Sequence, residues 1–353
     1  MEFLYSNFKP VNTTNSDFSK VFYSLIPDAN RLDIAVGFIT ADSLAELKQA
    51  LIYNENIEQL NLIIGMHRWE KFTRSEYNAA LDLNNYLMSA SRGEVRLVTP
   101  FRFHGKLYSY SKGNEAFAGI IGSNNLSSIV DGGIRSYEAS FLFREHTYAQ
   151  QMRDFIDELS RKATENLSDC QIDEFKQKND LLEGHEHVEK VTNEVLADCL
   201  SCRTDTYFDI PFKKNGKVPP QSNLNAYFGK GRQGKNGLIL PRHWYEVEVI
   251  VPKEITSRQG YPQAKTESSI FDVITDDGWK FKCKVSGDFS KNFRSEGDLK
   301  ILGKWIKGRL ETNGALNVME CVTPQTFERY GRDSFRMIKT TIPNLWYLDF
   351  GVH

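Results

Sequence analysis

The chain of 353 residues is long enough for two domains, and its 40% hydrophobic and 25% charged residues exclude a disordered protein. No apolar run approaches the ~20 residues that cross a bilayer, the N-terminus lacks a basic region followed by a long apolar one, and the five cysteines are an odd number. These features predict a cytoplasmic protein without membrane spans, a signal peptide or a disulfide framework.

The net charge of −2 conceals an opposition between the two parts of the chain. Residues 1–200 contain 20 Lys and Arg against 29 Asp and Glu, whereas residues 201–353 contain 24 against 17. Basic residues are densest at 280–309, with nine basic and three acidic side chains. We interpret the basic part as a module that binds a polyanion. The alternative is that two solvated surfaces merely differ in charge.

The first 165 residues alternate strand and helix patterns. Runs of β-branched and apolar residues predict buried strands at Asp33–Thr40 and Leu60–Gly65, and leucines at helical spacing predict helices at Ala41–Tyr53 and Ser75–Ala90. Further strands and a closing amphipathic helix are predicted at Glu94–Thr99, Gly105–Ser111, Ala116–Gly122, Tyr137–Phe143 and, for the helix, about His146–Ala163. This order predicts an α/β domain with a mixed sheet flanked by helices over residues 1–165.

The rest of the chain changes character twice. Residues 166–202 are strongly acidic, and we expect a linker of one or two helices. From residue 203 glycine becomes frequent and short strands are predicted, at Thr206–Pro211, Trp244–Val251, Ser269–Thr275 and Trp279–Val285. Two long basic connections, Lys213–Arg242 and Gly287–Arg309, are read as loops. Residues 203–353 are therefore expected to form an all-β barrel with two basic arms.

Three short segments contain the residues that indicate a chemistry. His104 and Lys106 alternate along one predicted strand, Ser123 and Asn125 follow the end of the next, and Glu138 lies at the start of another. Because alternate residues of a strand share a face, these side chains are expected at one edge of the sheet.

Such a set of side chains suits the cleavage of a phosphodiester. The His104 imidazole can attack phosphorus and form a covalent phosphohistidine. Lys106 would stabilise charge on the non-bridging oxygens, with Ser123 and Asn125 donating hydrogen bonds, and Glu138 would orient the imidazole. The sequence offers no convincing carboxylate cluster at metal-ligand spacing, so we expect no metal and no other cofactor.

The pattern His104-x-Lys106, followed by Gly122-Ser123-x-Asn125, resembles the signature of the phospholipase D superfamily in its nuclease branch. Members of that superfamily need two such motifs facing each other, one histidine as nucleophile and the other as general acid. One copy is found in this sequence, so the resemblance implies a homodimer that pairs two active sites. The superfamily's usual Asp shortly after the Lys is absent here, and Glu138 stands where restriction-nuclease members use a Glu.

The segment Gly287–Leu310 resembles the C-terminal part of metal-independent restriction enzymes of the BfiI/NgoFVII type. This resemblance implies a phospholipase D-like nuclease domain followed by a B3-like β-barrel that grips DNA with an N-arm, within Tyr227–Arg242, and a C-arm. Lys and Arg suit phosphates, while Gln, Asn and Arg can pair with base edges. The side chains expected at the DNA are Lys230, Arg232, Gln233, Lys235, Asn236, Arg242, Arg294, Lys304, Trp305, Lys307 and Arg309.

The function implied is a homodimeric restriction endonuclease that cuts double-stranded DNA at or near a short GC-rich target, with GCSGC suggested by the subgroup. Some members of this type work with a helicase-like ATPase subunit. Because this chain has no nucleotide-binding motif, any ATP dependence would come from such a partner. One alternative is a phospholipase D-like lipid phosphodiesterase, which would need an apolar interfacial surface. The other is a DNA-binding subunit with a silent nuclease fold, in which His104 is dispensable.

Overall fold

The computed structural model describes residues 1–6, 11, 17–130, 136–176, 181–233 and 238–352. The chain forms two compact units, the first made of residues 1–178 and 231–241, the second of residues 179–230 and 242–353. The division at 178/179 falls inside the segment 166–202 that the sequence assigns to a linker. No helix among the described residues is both long and apolar enough to cross a membrane.

The first unit is built on a mixed sheet of eight strands, as predicted for an α/β domain. Its elements in the first stretch of chain are β1 (Glu2–Tyr5), α1 (Phe18–Ser24), β2 (Arg31–Val36), α2 (Ala41–Tyr53), β3 (Gln59–Ile64), α3 (His67–Glu70), β4 (Phe72–Thr73), α4 (Arg74–Ser89), β5 (Gly93–Val98), β6 (Lys106–Lys112), β7 (Glu115–Gly122), β8 (Ala139–Phe143), α5 (His146–Ala163), β9 (Thr164–Asn166) and β10 (Phe175–Lys176). The strand order is β1-β8-β7-β6-β2-β3-β5-β9. Strands β2, β3 and β5 are parallel, and the remaining neighbours are antiparallel.

Local sequence explains where the helices of this sheet begin. Thr40 and Thr73 cap α2 and α4 with side-chain oxygens that accept from the backbone of Ser43 and Glu76, and both caps are reciprocated. Helix α5 places one apolar stripe, including Met152, against the sheet. Buried residues of β2, β3, β5, β6, β7 and β8 form the sheet side of this core. Their burial fixes the positions of these strands in the sheet.

In its described residues, the second unit contains a sheet of eight strands and four α-helices. The elements that follow in the chain are β11 (Glu189–Lys190), α6 (Asn193–Ser201), β12 (Arg203–Pro211), β13 (Arg232–Gln233), β14 (Ile239–Leu240), β15 (Val249–Ile250), α7 (Lys253–Thr256), β16 (Ile270–Thr275), β17 (Trp279–Ser286), β18 (Asn292–Ser295), α8 (Lys300–Thr312), α9 (Pro324–Tyr330), β19 (Ser334–Thr340) and β20 (Leu345–Asp349). The order is β12-β19-β20-β16-β17-β18-β15, with β11 also paired to β17. The hairpin β13–β14 belongs to the first unit.

The structure revises four sequence predictions about residues 166–353. The second unit is not all-β, because α8 and α9 are helices and α8 buries Trp305 and Ile306. The predicted loop Gly287–Arg309 contains β18 and most of α8. The strand predicted at Trp244–Val251 is reduced to β15. The linker is only partly helical, since α6 is its one helix longer than a single turn among the described residues.

The hairpin β13–β14 is attached to α2 through the side-chain amide of Asn54. Its Nδ2 donates to the Ile239 carbonyl at 3.1 Å, and the Ile239 N–H donates to its Oδ1 at 3.4 Å. Asn54 also closes α2, because its Nδ2 donates to the Ala50 carbonyl at 2.8 Å. The nearly buried Asn54 amide therefore makes the pair of hydrogen bonds to Ile239 that the backbone of a neighbouring strand would make.

Candidate active site

The register of the first sheet brings the ends of four strands to one edge. Lys106, the first residue of β6, lies opposite Val36, the last residue of β2. On the other side of β6, Leu107 lies opposite Ile121 near the end of β7, whose last residue pairs with Ser140 of β8. The segments just outside these strand ends contain His104, Ser123, Asn125 and Glu138, as the strand spacing predicts.

His104 and Lys106 are in direct contact. The Lys106 Nζ lies 3.0 Å from Nδ1 and 3.1 Å from Nε2 of the imidazole, and it donates to the His104 carbonyl oxygen at 2.7 Å. An ammonium group has only donors, so a ring nitrogen that forms a hydrogen bond with it must accept, and the tautomer of the ring decides which of the two does so. The His104 side chain is exposed, whereas Lys106 is 5% exposed. The site therefore has an exposed imidazole with a buried lysine in contact with it.

The environment of Lys106 alters its acidity. Burial lowers the pKa of the Lys106 ammonium below its ordinary value, and the negative charge of Glu138 opposes that change. Glu138 is itself held by Ser136, whose Oγ donates to Oε1 at 2.8 Å. In the part of the chain that the structure describes, the hydrogen-bond partner of the His104 ring is Lys106, so Glu138 acts on the site through the lysine.

Asn125 is oriented by the backbone that follows β2. Its Oδ1 accepts from the Phe38 N–H at 3.1 Å, which turns the two Nδ2 donors to the other side. The Phe38 ring packs edge-on against the His104 ring, with 5.7 Å between centroids. Asn125 and His104 therefore contact the backbone and the ring of the same residue, Phe38, and the Asn125 amide can offer donors to an anion there.

Ser123 is tied to the neighbouring strand. Its Oγ accepts from the Ala139 N–H at 3.0 Å and lies 3.3 Å from the Ala139 carbonyl oxygen, to which it donates. The next residue, Asn124, is buried, and its Oδ1 accepts from Ser140 Oγ at 2.6 Å. The turn after β7 is thus fixed on both sides, which places Asn125 firmly.

The residues predicted to form the N-arm fall into three groups. Lys230, Arg232 and Gln233 are exposed, the last two in β13. Lys235 and Asn236 lie outside the described residues. Arg242 is half-buried and forms an ion pair with Glu246.

The residues predicted to form the C-arm are mostly buried. Lys304, Trp305 and Lys307 are 6%, 1% and 0% exposed in α8. These three side chains pack in the core of the second unit and do not lie on its surface. Burial lowers the pKa of Lys307 to about 7, and its Nζ donates to the Trp244 carbonyl at 2.6 Å. Arg309 forms an ion pair with Asp276.

Arg294 is placed differently from those helix residues. It lies half-buried on β18 and is paired with Glu248 at 3.4 Å.

The sequence analysis missed an exposed aromatic residue between β17 and β18. Phe289 is 64% exposed and has a φ of 57°, a left-handed conformation that is costly for a bulky residue. The next residue, Ser290, is buried, and its Oγ accepts from the Ala264 N–H at 2.8 Å. The Lys253 ammonium lies 4.2 Å from the Phe289 ring centroid. The turn sequence Gly287-Asp288 was the available signal, since such residues mark a hairpin tip.

Comparison with family models assigns both units. The NgoFVII restriction endonuclease N-terminal PLD domain matches residues 16–176, and the NgoFVII C-terminal B3-like DNA-binding domain matches residues 199–341. The two models come from one restriction endonuclease and follow the same order in this chain. The chain belongs to the NgoFVII family of restriction endonucleases. This membership confirms the predicted PLD-like and B3-like domains and makes DNA the partner of the second one.

Several solved structures resemble part of this NgoFVII family member. TrmBL2, an archaeal chromatin protein, is 11% identical with a TM-score of 0.30, over 46% of this chain and 53% of that one. NucT from Helicobacter pylori is 14% identical with a TM-score of 0.28, over 46% and 98%. Phosphatidylserine synthase from Haemophilus influenzae Rd KW20 is 13% identical with a TM-score of 0.33, over 48% and 41%.

The chain thus spans about half of the first of these structures and less of the third. These likenesses are too distant to bear on function. No curated protein matches the chain.

Proposed function

We propose that this chain is a homodimeric, site-specific endonuclease that cleaves double-stranded DNA through a covalent phosphohistidine on His104, without a metal ion. The observation that supports this most is the Lys106 ammonium 3.0 Å from the imidazole of an exposed histidine. The family membership supplies DNA as the substrate. A lipid phosphodiesterase is disfavoured, because the B3-like DNA-binding domain would have no role in it.

The proposed reaction proceeds in two displacements. A ring nitrogen of His104 attacks phosphorus, the P–N bond forms, and the P–O bond to one DNA strand end breaks. The leaving oxygen takes a proton from the partner subunit's His104. Water then attacks phosphorus, gives its proton to that same histidine, and the P–N bond breaks, which restores both imidazoles.

Lys106 and Asn125 supply the electrostatic stabilisation in this scheme. The ammonium can follow the charge that develops on the non-bridging oxygens, and the Nδ2 donors of Asn125 are turned away from the amide oxygen that Phe38 holds. Fixed donors in a partly buried site do not need to reorganise during the reaction. These groups are the ones that would replace a metal ion.

The homodimer is supported by an apolar surface on the strands next to the site. Phe141 and Ile121 lie opposite each other on β8 and β7, and they are 43% and 46% exposed. Phe3 of β1 is opposite Phe141 on the other side, and the two rings lie 4.4 Å apart. We propose that a second copy of the chain covers this surface, because its position at the catalytic edge would bring two His104 residues towards each other.

We propose that exposed residues in each unit contact the DNA. The hairpin tip with Phe289 and Lys253 and the N-arm residues Lys230, Arg232 and Gln233 offer charge, amide and aromatic groups. The target is proposed to be short and GC-rich, and GCSGC is the first sequence to test. Any ATP dependence would reside in a separate helicase-like subunit.

The decisive experiment is cleavage of a long, sequence-diverse DNA in EDTA by wild type, H104A and H146A. His146 is a matched control, because it is an exposed histidine whose Nδ1 lies 3.1 Å from the Ala116 carbonyl oxygen at the far end of β7. We expect discrete fragments from wild type and H146A and none from H104A. The covalent intermediate would be identified by incubating wild type with labelled DNA and isolating protein that carries the label. Phosphoamidase, which cleaves P–N bonds, should remove that label.

Two outcomes would contradict the proposal. Cleavage that requires added Mg²⁺ would remove the metal-free mechanism, and cleavage by H104A equal to that by wild type would remove the nucleophile. If wild type binds DNA but cuts only when an ATPase partner is added, the catalytic assignment is tested in that complex with the same variants.

A further inference from the structure

A second group of side chains lies beside the His104 site in the first unit. The Phe103 N–H donates to the Gly65 carbonyl at 3.2 Å, so the segment that leads to His104 runs alongside the residues that begin α3. Arg102 precedes His104 by two residues, and its guanidinium lies 5.7 Å from the ring centroid of Trp69 in α3. A cation and an indole are thereby placed together at the rim of the site.

Both groups are accessible. Trp69 is 44% exposed and the Arg102 side chain is 64% exposed, whereas Trp244, Trp305 and Trp346 are buried. The same short helix holds His67 in the core against Phe38, so α3 is fixed on its inner side and presents Trp69 on its outer side. The indole is not needed to fill the core, and its position next to a guanidinium is typical of a site that contacts nucleic acid.

The Arg102 guanidinium lies beside the carboxylate of Glu70. The nearest atoms of Arg102 and Glu70 are 3.9 Å apart, which is a loose ion pair between two exposed side chains. A phosphate, which accepts two hydrogen bonds from a guanidinium, would displace such a carboxylate. Glu70 therefore competes with an incoming phosphate for the same cation.

We propose that Trp69 and Arg102 bind an unpaired nucleotide of the DNA strand next to the phosphodiester that His104 attacks. An indole face can be covered by a base only if that base has left the duplex stack, because both faces of a paired base are already covered. Trp69 stacks on the unpaired base and Arg102 binds a phosphate of the same strand. This inference rests on the proposed nuclease function and adds that the strand is locally unpaired at the cut.

The test measures binding rather than cleavage. A short oligothymidylate, which is single-stranded, is titrated into the full-length chain in the H104A background, and tryptophan fluorescence and anisotropy are recorded. Stacking on Trp69 should quench the fluorescence, and W69F should bind while losing most of the quench. W69A and R102A should each weaken binding about tenfold. E70Q should tighten binding, since it removes the competing carboxylate.

Y148A is the matched control. Tyr148 is an exposed aromatic residue on the first turn of α5. That turn lies away from the proposed site, because His146 contacts Ala116 at the end of β7 opposite to Ser123. The affinity of Y148A should equal that of the parent protein. Thermal unfolding of each variant checks the fold, and the tighter binding of E70Q is a change that simple destabilisation would not produce.

The outcomes separate this inference from the nuclease proposal. Unchanged oligothymidylate affinity in W69A and R102A, or a full quench in W69F, would overturn the nucleotide site even if wild type cuts DNA normally. Quenching that depends on Trp69 would support the site even if no His104-dependent cleavage were found, in which case only the nuclease proposal fails.

Discussion

The contact between Lys106 and His104 determines what the site can do at the level of single residues. The Lys106 Nζ lies within 3.1 Å of both ring nitrogens of His104 and donates to the carbonyl oxygen of the same residue, and burial disfavours the charged form of the lysine. The negative charge of Glu138 opposes this effect and so favours the charged form of Lys106. Activity should therefore depend on the proton of Lys106.

This dependence predicts the pH profile of E138Q. Removing the carboxylate removes the interaction that raises the pKa of Lys106, so the lysine loses its proton at a lower pH. We expect the alkaline decline of kcat/KM in E138Q to begin at a lower pH than in wild type. The measurement is cleavage of an oligonucleotide across the neutral and alkaline range.

E145Q serves as the control for that profile. Glu145 is an exposed carboxylate at the start of α5, and its removal should leave the alkaline decline where it is in wild type. An alkaline decline in E138Q that stays in place or moves to higher pH would show that Glu138 does not support the charge of Lys106.

The contact between His104 and Lys106 was predictable from the sequence because strand periodicity is local. His104 and Lys106 lie two positions apart, and the structure brings them into contact as that spacing predicts. The orientation of Asn125 was not predictable, because its partner is the Phe38 backbone, 87 residues away. The role of Glu138 as a partner of the lysine depends on burial, which spacing does not reveal.

Among the elements, α8 is a helix that the local sequence does not predict and that tertiary contacts stabilise. Gly303 lies where a Cβ would come within 1.8 Å of the Tyr245 carbonyl oxygen, so the helix touches a backbone at this glycine. Glu311 accepts hydrogen bonds from Trp244 Nε1 at 2.7 Å and from Tyr245 Oη at 2.8 Å. The helix is therefore fixed against residues 244–245 at two of its turns.

G303A tests this packing with opposing expectations. Helix propensity alone predicts a gain of about 1 kcal/mol when Gly becomes Ala inside a helix. Because the new methyl group would overlap a backbone oxygen, we expect instead a loss of about 1–3 kcal/mol or more in the free energy of unfolding of the second unit. Urea unfolding measures the difference, and a more stable G303A would refute the close contact.

T312A is the control within the same helix. Thr312 is exposed near the end of α8, and its replacement should change the free energy of unfolding by less than about 0.5 kcal/mol.

Most elements predicted in the first unit lie within two residues of their predicted bounds, but β2 ends four residues before its predicted end, and β1 and α1 were not predicted. In the second unit, β16 and β17 lie within one residue of their predicted bounds, whereas α8 was predicted to be a loop. In the first unit, leucine spacing defines α2, and the prediction Ala41–Tyr53 coincides with the helix. In α8, two glycines and a run of basic residues resemble a loop, and the buried positions become informative only once Trp244 and Tyr245 are known to pack there. Local propensity and tertiary packing disagree in α8, and packing decides.

At the scale of the whole molecule, the proposed homodimer makes a prediction about the surface formed by Phe3, Ile121 and Phe141. F141E places a charge in the middle of an exposed apolar patch and should convert the dimer into a monomer. Because the proposed mechanism needs the partner subunit's His104 in each active site, cleavage should be lost with the dimer. Size-exclusion chromatography with light scattering gives the mass, and the EDTA cleavage assay gives the activity.

I342E controls for the added charge. Ile342 is 43% exposed in the second unit, and the variant should remain dimeric and active. Dimeric, active F141E would place the subunit contact elsewhere on the chain.

The attachment of hairpin β13–β14 to Asn54 affects how this protein could be divided. The chain passes from one unit to the other at 178/179, 230/231 and 241/242. A fragment ending at residue 178 would leave the Asn54 amide without Ile239, and one starting at residue 179 would carry residues 231–241 without their support. Chimeras that join the nuclease half of one relative to the recognition half of another therefore need three junctions, and the graft must take the hairpin together with α2.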